Sequence, residues 1–419
     1  MILPNNGKVI VFDDKVEDVR PLLSMLSKEQ IPYLYYHDEY AEDLPEKAVE
    51  NVRLVFLDLE LVTNNPNKKN LIGPIAQRIK RVLCPNSLYI LIYWSTKEEK
   101  YRAELEKEFD SGLLAYKPLK MLSLNKAKAK DEGLEYIRTS LMNELKEFSA
   151  LNAFMLWESS VNNAAGSITN HICSIFKKDE KWDVNMHGML YQLAKSQAGT
   201  DAIKGLNNYQ LLELALDVIN TNLIESVEKN FHSVEKTITL GDIKQAGTGM
   251  SDEEKIKLNT KIHLMYSDKS FKHFYPGNIY LLEQNDIGDE IIQRNVKDDI
   301  KKNITKDNSK LICLDITPAC DYSQGKNYSR MVYGILVHKD SLTRKQLKDF
   351  DFRYDSCPIM KFEEYSYILI DFRCVRSYSS EQFKVEFNEE PKFRLRNNLL
   401  LDIQAQLSNH INRPGIVTV

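Results

Sequence analysis

Residues 53–58 have the sequence Arg53-Leu54-Val55-Phe56-Leu57-Asp58, a run of branched and aromatic side chains that ends in an acid. Residues 8–14, Lys8-Val9-Ile10-Val11-Phe12-Asp13-Asp14, repeat this arrangement near the start of the chain. Short, continuous apolar runs are typical of strands buried on both faces, as in parallel sheets. We therefore interpret both segments as buried strands with carboxylates at their carboxyl ends.

Strands and helices alternate over the first third of the chain. The pattern predicts further strands at 32–36, 88–93 and 112–116, and helices at 16–26, 74–83, 97–109 and 134–146. The lysine-rich stretch 120–130 is interpreted as a solvated loop or helix start. Alternation of this kind requires crossover connections, so we predict an α/β fold with a five-stranded parallel sheet covered on both faces.

Polar residues follow the predicted strands at the edge where open α/β sheets place their sites. Asp13, Asp14 and Asp58 would bring three carboxylates together, and hard oxygen ligands of this kind favour Mg²⁺. The hydroxyl pair Ser95-Thr96 follows the fourth predicted strand, and Lys117 follows the fifth. Acids, a hydroxyl and a cation predict phosphoryl transfer onto a carboxylate, with the metal and the lysine offsetting the charge of the transferred group.

This set of motifs resembles the receiver domain of two-component response regulators. The segments that carry the resemblance are Val11-Phe12-Asp13-Asp14, Leu57-Asp58-Leu59, Trp94-Ser95-Thr96 and Tyr116-Lys117-Pro118. The resemblance implies a flavodoxin-like fold, with Mg²⁺ on the acidic pair, phosphorylation of Asp58, and contacts from the hydroxyl and the lysine to the phosphoryl group. It also implies a partner histidine kinase, or a histidine-kinase-like ATPase, as the phosphodonor. One departure is Leu114, which stands three positions before Lys117, where the family often has an aromatic switch residue.

The rest of the chain changes its periodicity twice. We predict a receiver domain at 1–150, an all-α connector domain at 151–273, and a β-rich C-terminal domain with a terminal helix at 274–419. The strands of this last domain are predicted at 278–282, 310–316, 331–337, 365–375 and 383–387, and its helix at 395–410. Long helices are missing between most of these strands, which favours antiparallel pairing.

A second candidate site lies around Cys320, with Asp321 beside it and His410 as a candidate partner. A cysteine just after an apolar strand could be a nucleophile or a ligand, whereas a buried small residue beside a turn-capping aspartate is the simpler interpretation. This region and 393–415 faintly resemble uncharacterised bacterial receiver-containing proteins, some encoded near histidine-kinase-like ATPases in phage-defence neighbourhoods. That resemblance assigns no activity.

Composition limits the function classes. The chain has 56 basic and 60 acidic residues and a net charge of -4, so nothing in the overall balance points to nucleic acid or membrane. Six scattered cysteines and an unremarkable start predict a cytoplasmic protein. We expect a signalling protein that passes phosphorylation of Asp58 to a C-terminal module that does not bind DNA, with homo-oligomers possible. An enzyme centred on Cys320 and regulated by the receiver, and a phosphate sink or scaffold, remain alternatives.

Overall fold

The computed structural model describes residues 8–37, 44–59, 69–95, 98–146, 149–200, 202–234, 250–266, 275–283, 285–305, 307–318, 321–322, 328–338, 340–342, 346, 353–355 and 367–412. The chain forms two compact units, one of Met1–Asp183 with Ile219–Ala246 and one of Val184–Val218 with Gly247–Val419. Each unit is described by itself. The predicted division into domains at 1–150, 151–273 and 274–419 stays a prediction.

The first unit contains a five-stranded parallel sheet in the order β2-β1-β3-β4-β5. Its strands are β1 (Lys8–Phe12), β2 (Tyr33–Tyr36), β3 (Val52–Leu57), β4 (Ile90–Ser95) and β5 (Lys120–Asn125). This order is that of the flavodoxin-like doubly wound fold, whose ligands bind at the carboxyl edge of the sheet. The predicted fold class is confirmed for this part of the chain.

Helices cover the sheet, and apolar side chains fill the space on both of its faces. The helices are α1 (Val16–Lys28), α2 (Lys69–Val82), α3 (Glu98–Phe109), α4 (Lys126–Glu132) and α5 (Leu134–Lys146). Along β1, Val9 and Val11 pack into one core while Ile10 and Phe12 pack into the other. Burial of both faces explains why β1 after Lys8 and β3 after Arg53 are continuously apolar rather than alternating.

The predicted fifth strand at 112–116 was wrong. That segment forms a turn followed by a 3₁₀ helix at Leu114–Tyr116, and the fifth strand is β5. Because β5 lies at the edge of the sheet, mainly Leu122 and Leu124 on one of its faces are buried, and polar residues separate them. An alternating pattern is a weaker strand signal than the continuous apolar run of a central strand. The lysines on either side of this segment made it resemble a solvated loop.

A helical region follows the parallel sheet. It comprises α6 (Ser149–Cys173), α7 (Trp182–Ala198), α8 (Asn208–Val234) and α9 (Asp252–His263). Within the first unit, the start of α6 packs through Leu151 and Met155 into the core that α1 and α5 also line. A capping box begins α9, since Ser251 and Glu254 bond reciprocally to each other's backbone.

The C-terminal part contains a seven-stranded antiparallel sheet in the order β10-β11-β9-β8-β7-β12-β6. Its strands are β6 (Leu264–Tyr266), β7 (Asn278–Leu282), β8 (Ser309–Asp315), β9 (Tyr328–Val337), β10 (Arg353–Asp355), β11 (Tyr367–Ser379) and β12 (Phe393–Leu395). Its helices are α10 (Asp286–Asn295), α11 (Ser380–Glu386) and α12 (Asn397–Ile411). A helical region followed by an antiparallel sheet confirms the predicted order of classes.

One predicted strand of this sheet, at 383–387, was wrong. The segment belongs largely to α11, which Ser379 and Gln382 begin with a reciprocal capping box. Phe383 and Phe387 are four residues apart, so on a helix they fall on the same face, and their rings pack 4.6 Å apart between centroids. No helix in the described part of the chain has the length and apolar content needed to cross a membrane.

Candidate functional site

Three aspartates meet at the carboxyl edge of the parallel sheet. Asp13 and Asp14 follow β1, and Asp58 follows β3, the neighbouring strand in the sheet. The Asp58 amide donates to the Phe12 carbonyl at 3.0 Å, which continues the strand pairing up to the site. One carboxylate oxygen from each aspartate lies within 4.8 Å of the other two. The structure thus brings together the three acids that the sequence placed at one site.

A lysine closes this acidic cluster, and it is Lys126. Its ammonium lies 2.8 Å from Asp13 Oδ2 and 2.7 Å from Asp58 Oδ2, and its side chain is only 5% exposed. A third carboxylate, that of Asp18 in α1, lies 3.6 Å from the same ammonium. Lys126 is the first residue of α4, directly after β5. Its ammonium therefore lies at the same edge of the sheet as the aspartates that follow β1 and β3.

Burial and charge act in opposite directions on these groups. Burial raises the pKa of Asp13 from 3.8 to about 6, although the hydrogen bond and the charge of Lys126 lower it. Burial lowers the pKa of Lys126, but the Asp58 and Asp13 carboxylates outweigh it and raise the pKa above its ordinary value. For Asp18, burial raises the pKa, yet Lys130 and Lys126 hold it below its ordinary value. The lysine therefore stays charged while the acids carry more negative charge than it offsets.

The cluster fits a divalent cation. Asp14 Oδ1 is buried and accepts no hydrogen bond from any described residue. A buried carboxylate oxygen without a donor is costly, and a cation would satisfy it. Three carboxylates are also more than one lysine neutralises, and oxygen ligands of this type suit Mg²⁺. Asp13, Asp14 and Asp58 are the residues that would hold the ion.

Lys117, the lysine that the sequence predicted for this site, lies elsewhere. Its ammonium is 2.6 Å from Asp110 Oδ1, in an ion pair with both side chains about half exposed. The error follows from the misplaced fifth strand, since Lys117 was chosen because it ends the segment 112–116. The signal that marks Lys126 is the alternating stretch Met121–Asn125 directly before it.

The hydroxyl pair is only partly described. Ser95 is the last residue of β4, and its backbone pairs with Asn125, the residue before Lys126. Its place in the sheet is thus at the same edge as the aspartates. Thr96 lies outside the described residues. Contacts from either hydroxyl to a phosphoryl group stay a prediction.

The second predicted site is also only partly described, because Cys320 lies outside the described residues. Asp321 is buried and faces Arg330, with 3.8 Å between Oδ2 and Nη2. His410 lies in α12, with its ring centroid 6.1 Å from that of Phe372. A site formed by Cys320, Asp321 and His410 stays a prediction.

Sequence reasoning missed a buried acid near these residues. Asp315, the last residue of β8, is fully buried, and its Oδ1 accepts a hydrogen bond from the Thr317 amide at 2.9 Å. Its Oδ2 accepts a short hydrogen bond from the Tyr322 hydroxyl. Burial raises the pKa of Asp315 to about 6, against these hydrogen bonds, which lower it. An acid at the end of an apolar strand was the available signal, as it was for Asp58.

Comparisons with known proteins add little to this geometry. No family model matches the chain, and no curated protein matches it. Among solved structures, it is similar to an adenylate cyclase from Rhodopirellula baltica, at 14% identity and a TM-score of 0.20 over 33% of this chain and 96% of that one. Full-length FixJ from B. japonicum matches at 10% identity and a TM-score of 0.19, over 55% of this chain and 97% of that one.

A third similarity is to the signal receiver domain of a Luxo repressor protein from Vibrio parahaemolyticus. The identity is 11% and the TM-score 0.17, over 33% of this chain and 95% of that one. Values this low carry no argument. The fold assignment depends instead on the strand order of the parallel sheet and its edge of aspartates, which fit a receiver fold.

Proposed function

We propose that the first unit is a receiver domain that accepts a phosphoryl group on Asp58 in the presence of Mg²⁺. The observation that carries this proposal is the position of the Lys126 ammonium, within 2.8 Å of both Asp58 and Asp13 at the carboxyl edge of the sheet. A nucleophilic carboxylate, two further acids and a buried cation are the parts that such a transfer requires.

In the proposed transfer, Asp58 is the nucleophile and Lys126 offsets the charge of the phosphoryl group. An oxygen of the Asp58 carboxylate attacks the phosphorus of the donor, and the bond from phosphorus to the leaving group breaks. The leaving group takes the electron pair, and the product is an aspartyl phosphate. Lys126 already contacts Asp58, so its charge faces the phosphoryl oxygens as they arrive. When bound, Mg²⁺ supplies the remaining positive charge that these oxygens require.

The donor and the output are part of the same proposal. We propose a partner histidine kinase, or histidine-kinase-like ATPase, as the donor in a cytoplasmic phosphorelay, by analogy with the resembled family. The output is passed to a C-terminal module that does not bind DNA. A contact available for this step is the ion pair of Arg53 in β3 with Glu158 in α6, which ties the helical region to the receiver sheet. A role in phage defence remains an expectation from the faint resemblance alone.

Intact-mass measurement with acetyl phosphate tests the transfer. We expect one phosphoryl adduct that requires Mg²⁺, disappears in Asp58→Asn, and is retained in Asp110→Asn, which removes an exposed acid as the matched control. An adduct of equal yield in Asp58→Asn, or with Mg²⁺ chelated, would contradict the assignment.

Hydrogen exchange with and without beryllofluoride tests the output. We expect changed protection in residues 132–170, beyond the loops that carry Asp58 and Ser95. If only those loops respond, the receiver does not drive the rest of the chain, and the phosphate-sink interpretation replaces the relay.

A further inference from the structure

Trp94, the residue before the last one of β4, carries a buried hydrogen-bond donor that has nothing to donate to. Its side chain is fully buried, and its indole Nε1 finds no acceptor among the residues that the structure describes. A buried indole N–H usually has a partner, because leaving such a donor unpaired costs free energy. The indole therefore offers a hydrogen bond that a bound group could accept.

The strand register places Trp94 on the face of the sheet that carries the aspartates. In the register of β3 and β4, Phe56 pairs with Ile92. Side chains alternate along a strand, so two residues further on Asp58 and Trp94 lie next to each other on the same face. The rings of Trp94 and Phe56 meet edge to face, with 6.5 Å between their centroids, which agrees with this placement.

The ion pair of Asp58 with Lys126 passes over the end of β4. Asp58 follows β3 and Lys126 follows β5, and β4 lies between these two strands. The 2.7 Å contact between the two side chains therefore spans the strand that carries Trp94. Trp94 also pairs with Leu124, which stands two residues before Lys126 on β5. The indole thus belongs to the face that this ion pair covers.

The core on that face has no acceptor for the indole in its side chains. Those that pack with Trp94 there are apolar, among them Phe56 and Leu124. A phosphoryl group on Asp58 would bring several oxygens to the adjoining edge of the sheet. Lys126 faces one side of that group and Mg²⁺ would take a further oxygen, which leaves room for one more donor.

We propose that the indole N–H of Trp94 donates a hydrogen bond to an oxygen of the phosphoryl group on Asp58. The inference rests on the proposed function, since it names a further residue of the same site. A hydrogen bond to a charged oxygen is stronger than one between neutral groups. The packing of the ring fixes the donor in advance, so little reorganisation is needed when the charged group arrives. Trp94 is thus a phosphoryl-binding residue beside Lys126.

Nuclear magnetic resonance of the full chain, isotope-labelled in its tryptophans, tests this contact. The chain has three tryptophans in different surroundings, since the Trp182 indole donates to the Cys173 carbonyl at 3.0 Å and Trp157 is 54% exposed. The Trp94 signal is the one that Trp94→Phe removes. With Mg²⁺ and beryllofluoride, we expect this indole proton to move downfield and to show cross-relaxation with a fluorine nucleus of the bound mimic. Mg²⁺ alone should produce neither effect.

Labelling with acetyl phosphate tests the role of Trp94 in the transfer. Trp94→Phe keeps an aromatic ring in the core and removes the N–H. We expect labelling of Asp58 to slow on the order of tenfold, the effect of losing one hydrogen bond to a charged group. Trp157→Phe is the matched control, because it makes the same change at an exposed position of α6 and should label at the wild-type rate.

The outcomes distinguish this inference from the proposed function. A wild type that takes no phosphoryl adduct refutes the proposed function, and the inference falls with it. A wild type that is labelled but shows no cross-relaxation between the Trp94 indole proton and beryllofluoride overturns the role of Trp94 alone. So does a folded Trp94→Phe that is labelled at the wild-type rate. If circular dichroism shows that variant to be unfolded, Trp157→Phe and Trp182→Phe assign the remaining signal, and the wild-type spectrum decides.

Discussion

Replacing Lys126 by methionine removes one charge from the centre of the acidic cluster and retains most of the side-chain volume. In the wild type this ammonium lies 2.7 Å from Asp58 and 2.8 Å from Asp13, and all three side chains are buried. The replacement leaves two buried carboxylates facing each other without a cation. The matched change is Lys117→Met, which removes a lysine from an exposed ion pair with Asp110.

The two losses differ because burial differs. Removing one partner of a buried ion pair costs about 3–5 kcal/mol, whereas an exposed pair contributes about 0–1 kcal/mol. In a unit of this size, 1 kcal/mol corresponds to a shift in melting temperature of about 2–4 °C. We therefore expect the first unit of Lys126→Met to melt about 10 °C below the wild type at pH 8 without metal. Lys117→Met should stay within about 4 °C of the wild type.

The loss should depend on pH in a definite direction. Lys126 lowers the pKa of Asp13, so its removal moves that pKa above the wild-type value of about 6. A carboxyl whose pKa is higher in the folded state than in the unfolded state stabilises the fold below its unfolded pKa, and that contribution is lost as the pH rises through its folded pKa. The variant should consequently regain stability between pH 8 and pH 5, as a proton takes the place of the lysine.

Thermal melts at pH 5 and pH 8 measure this effect, and acetyl phosphate labelling measures the chemistry. We expect labelling of Asp58 to slow on the order of a hundredfold in Lys126→Met, the usual effect of removing one group that stabilises transferred charge. Lys117→Met should label at the wild-type rate. The reasoning is refuted if Lys117→Met loses more stability or labels more slowly than Lys126→Met.

Three further expectations follow from the buried groups. Asp14→Asn should raise the melting temperature of the metal-free protein by a few degrees, because the change relieves repulsion between the carboxylates of the cluster. It should also reduce the rise in melting temperature that Mg²⁺ causes. A lower melting temperature of the metal-free variant would count against a shared metal site. For Asp315, the pKa is raised from 3.8 to about 6 in the folded state, so the contribution of this group to stability is fully present below pH 3.8 and is lost as the pH rises through 6. The interval from 3.8 to 6 corresponds to about 3 kcal/mol, and calorimetry of Asp315→Asn from pH 4 to pH 7 should show a flatter dependence than the wild type; an equal slope would contradict this cause. Arg53→Met should speed amide hydrogen exchange in α6 roughly tenfold, which corresponds to a loss of about 1.4 kcal/mol in the free energy of local opening. The labelling of Asp58 should stay unchanged. Unaltered exchange would show that the ion pair of Arg53 with Glu158 does not hold the helix.

The sequence predicted the parallel sheet where its signal was strongest. Strands β1 and β3 are central and buried on both faces, so their apolar runs are continuous, and the acids that follow them could be placed at one edge. The edge strand β5 buries mainly one face, and its shorter alternation lies next to lysines. Phe383 and Phe387 suggested a strand for a related reason, since a short amphipathic helix and a strand differ little over five residues.

Lys126 can be chosen from the sequence only once the alternating stretch Met121–Asn125 is recognised as a strand, because lysine is common and its role depends on where β5 ends. Once β5 is shifted to Lys120–Asn125, the lysine that follows it is the only choice consistent with the strand order. Asp18 is a different case. It belongs to α1, one turn beyond the site, and no pattern in the sequence places its carboxylate 3.6 Å from the Lys126 ammonium. Such contacts depend on how a helix packs, and periodicity does not encode them.

The position of Lys126 also bears on how a signal leaves the site. Ser123 stands three positions before it, so this position lacks an aromatic switch residue, as Leu114 does before Lys117. Under the proposed function, another element has to report phosphorylation of Asp58. Lys126 begins α4, and the Lys130 ammonium in the same helix pairs with Asp18 in α1. A phosphoryl group on Asp58 would add negative charge that competes with Asp13 and Asp18 for the Lys126 ammonium. Movement of Lys126 toward that group would therefore shift α4, and with it α5, which leads into α6. We expect beryllofluoride to change amide protection in residues 126–146, and we expect Asp18→Asn to reduce that change; protection unaltered there would exclude α4 as the responding element.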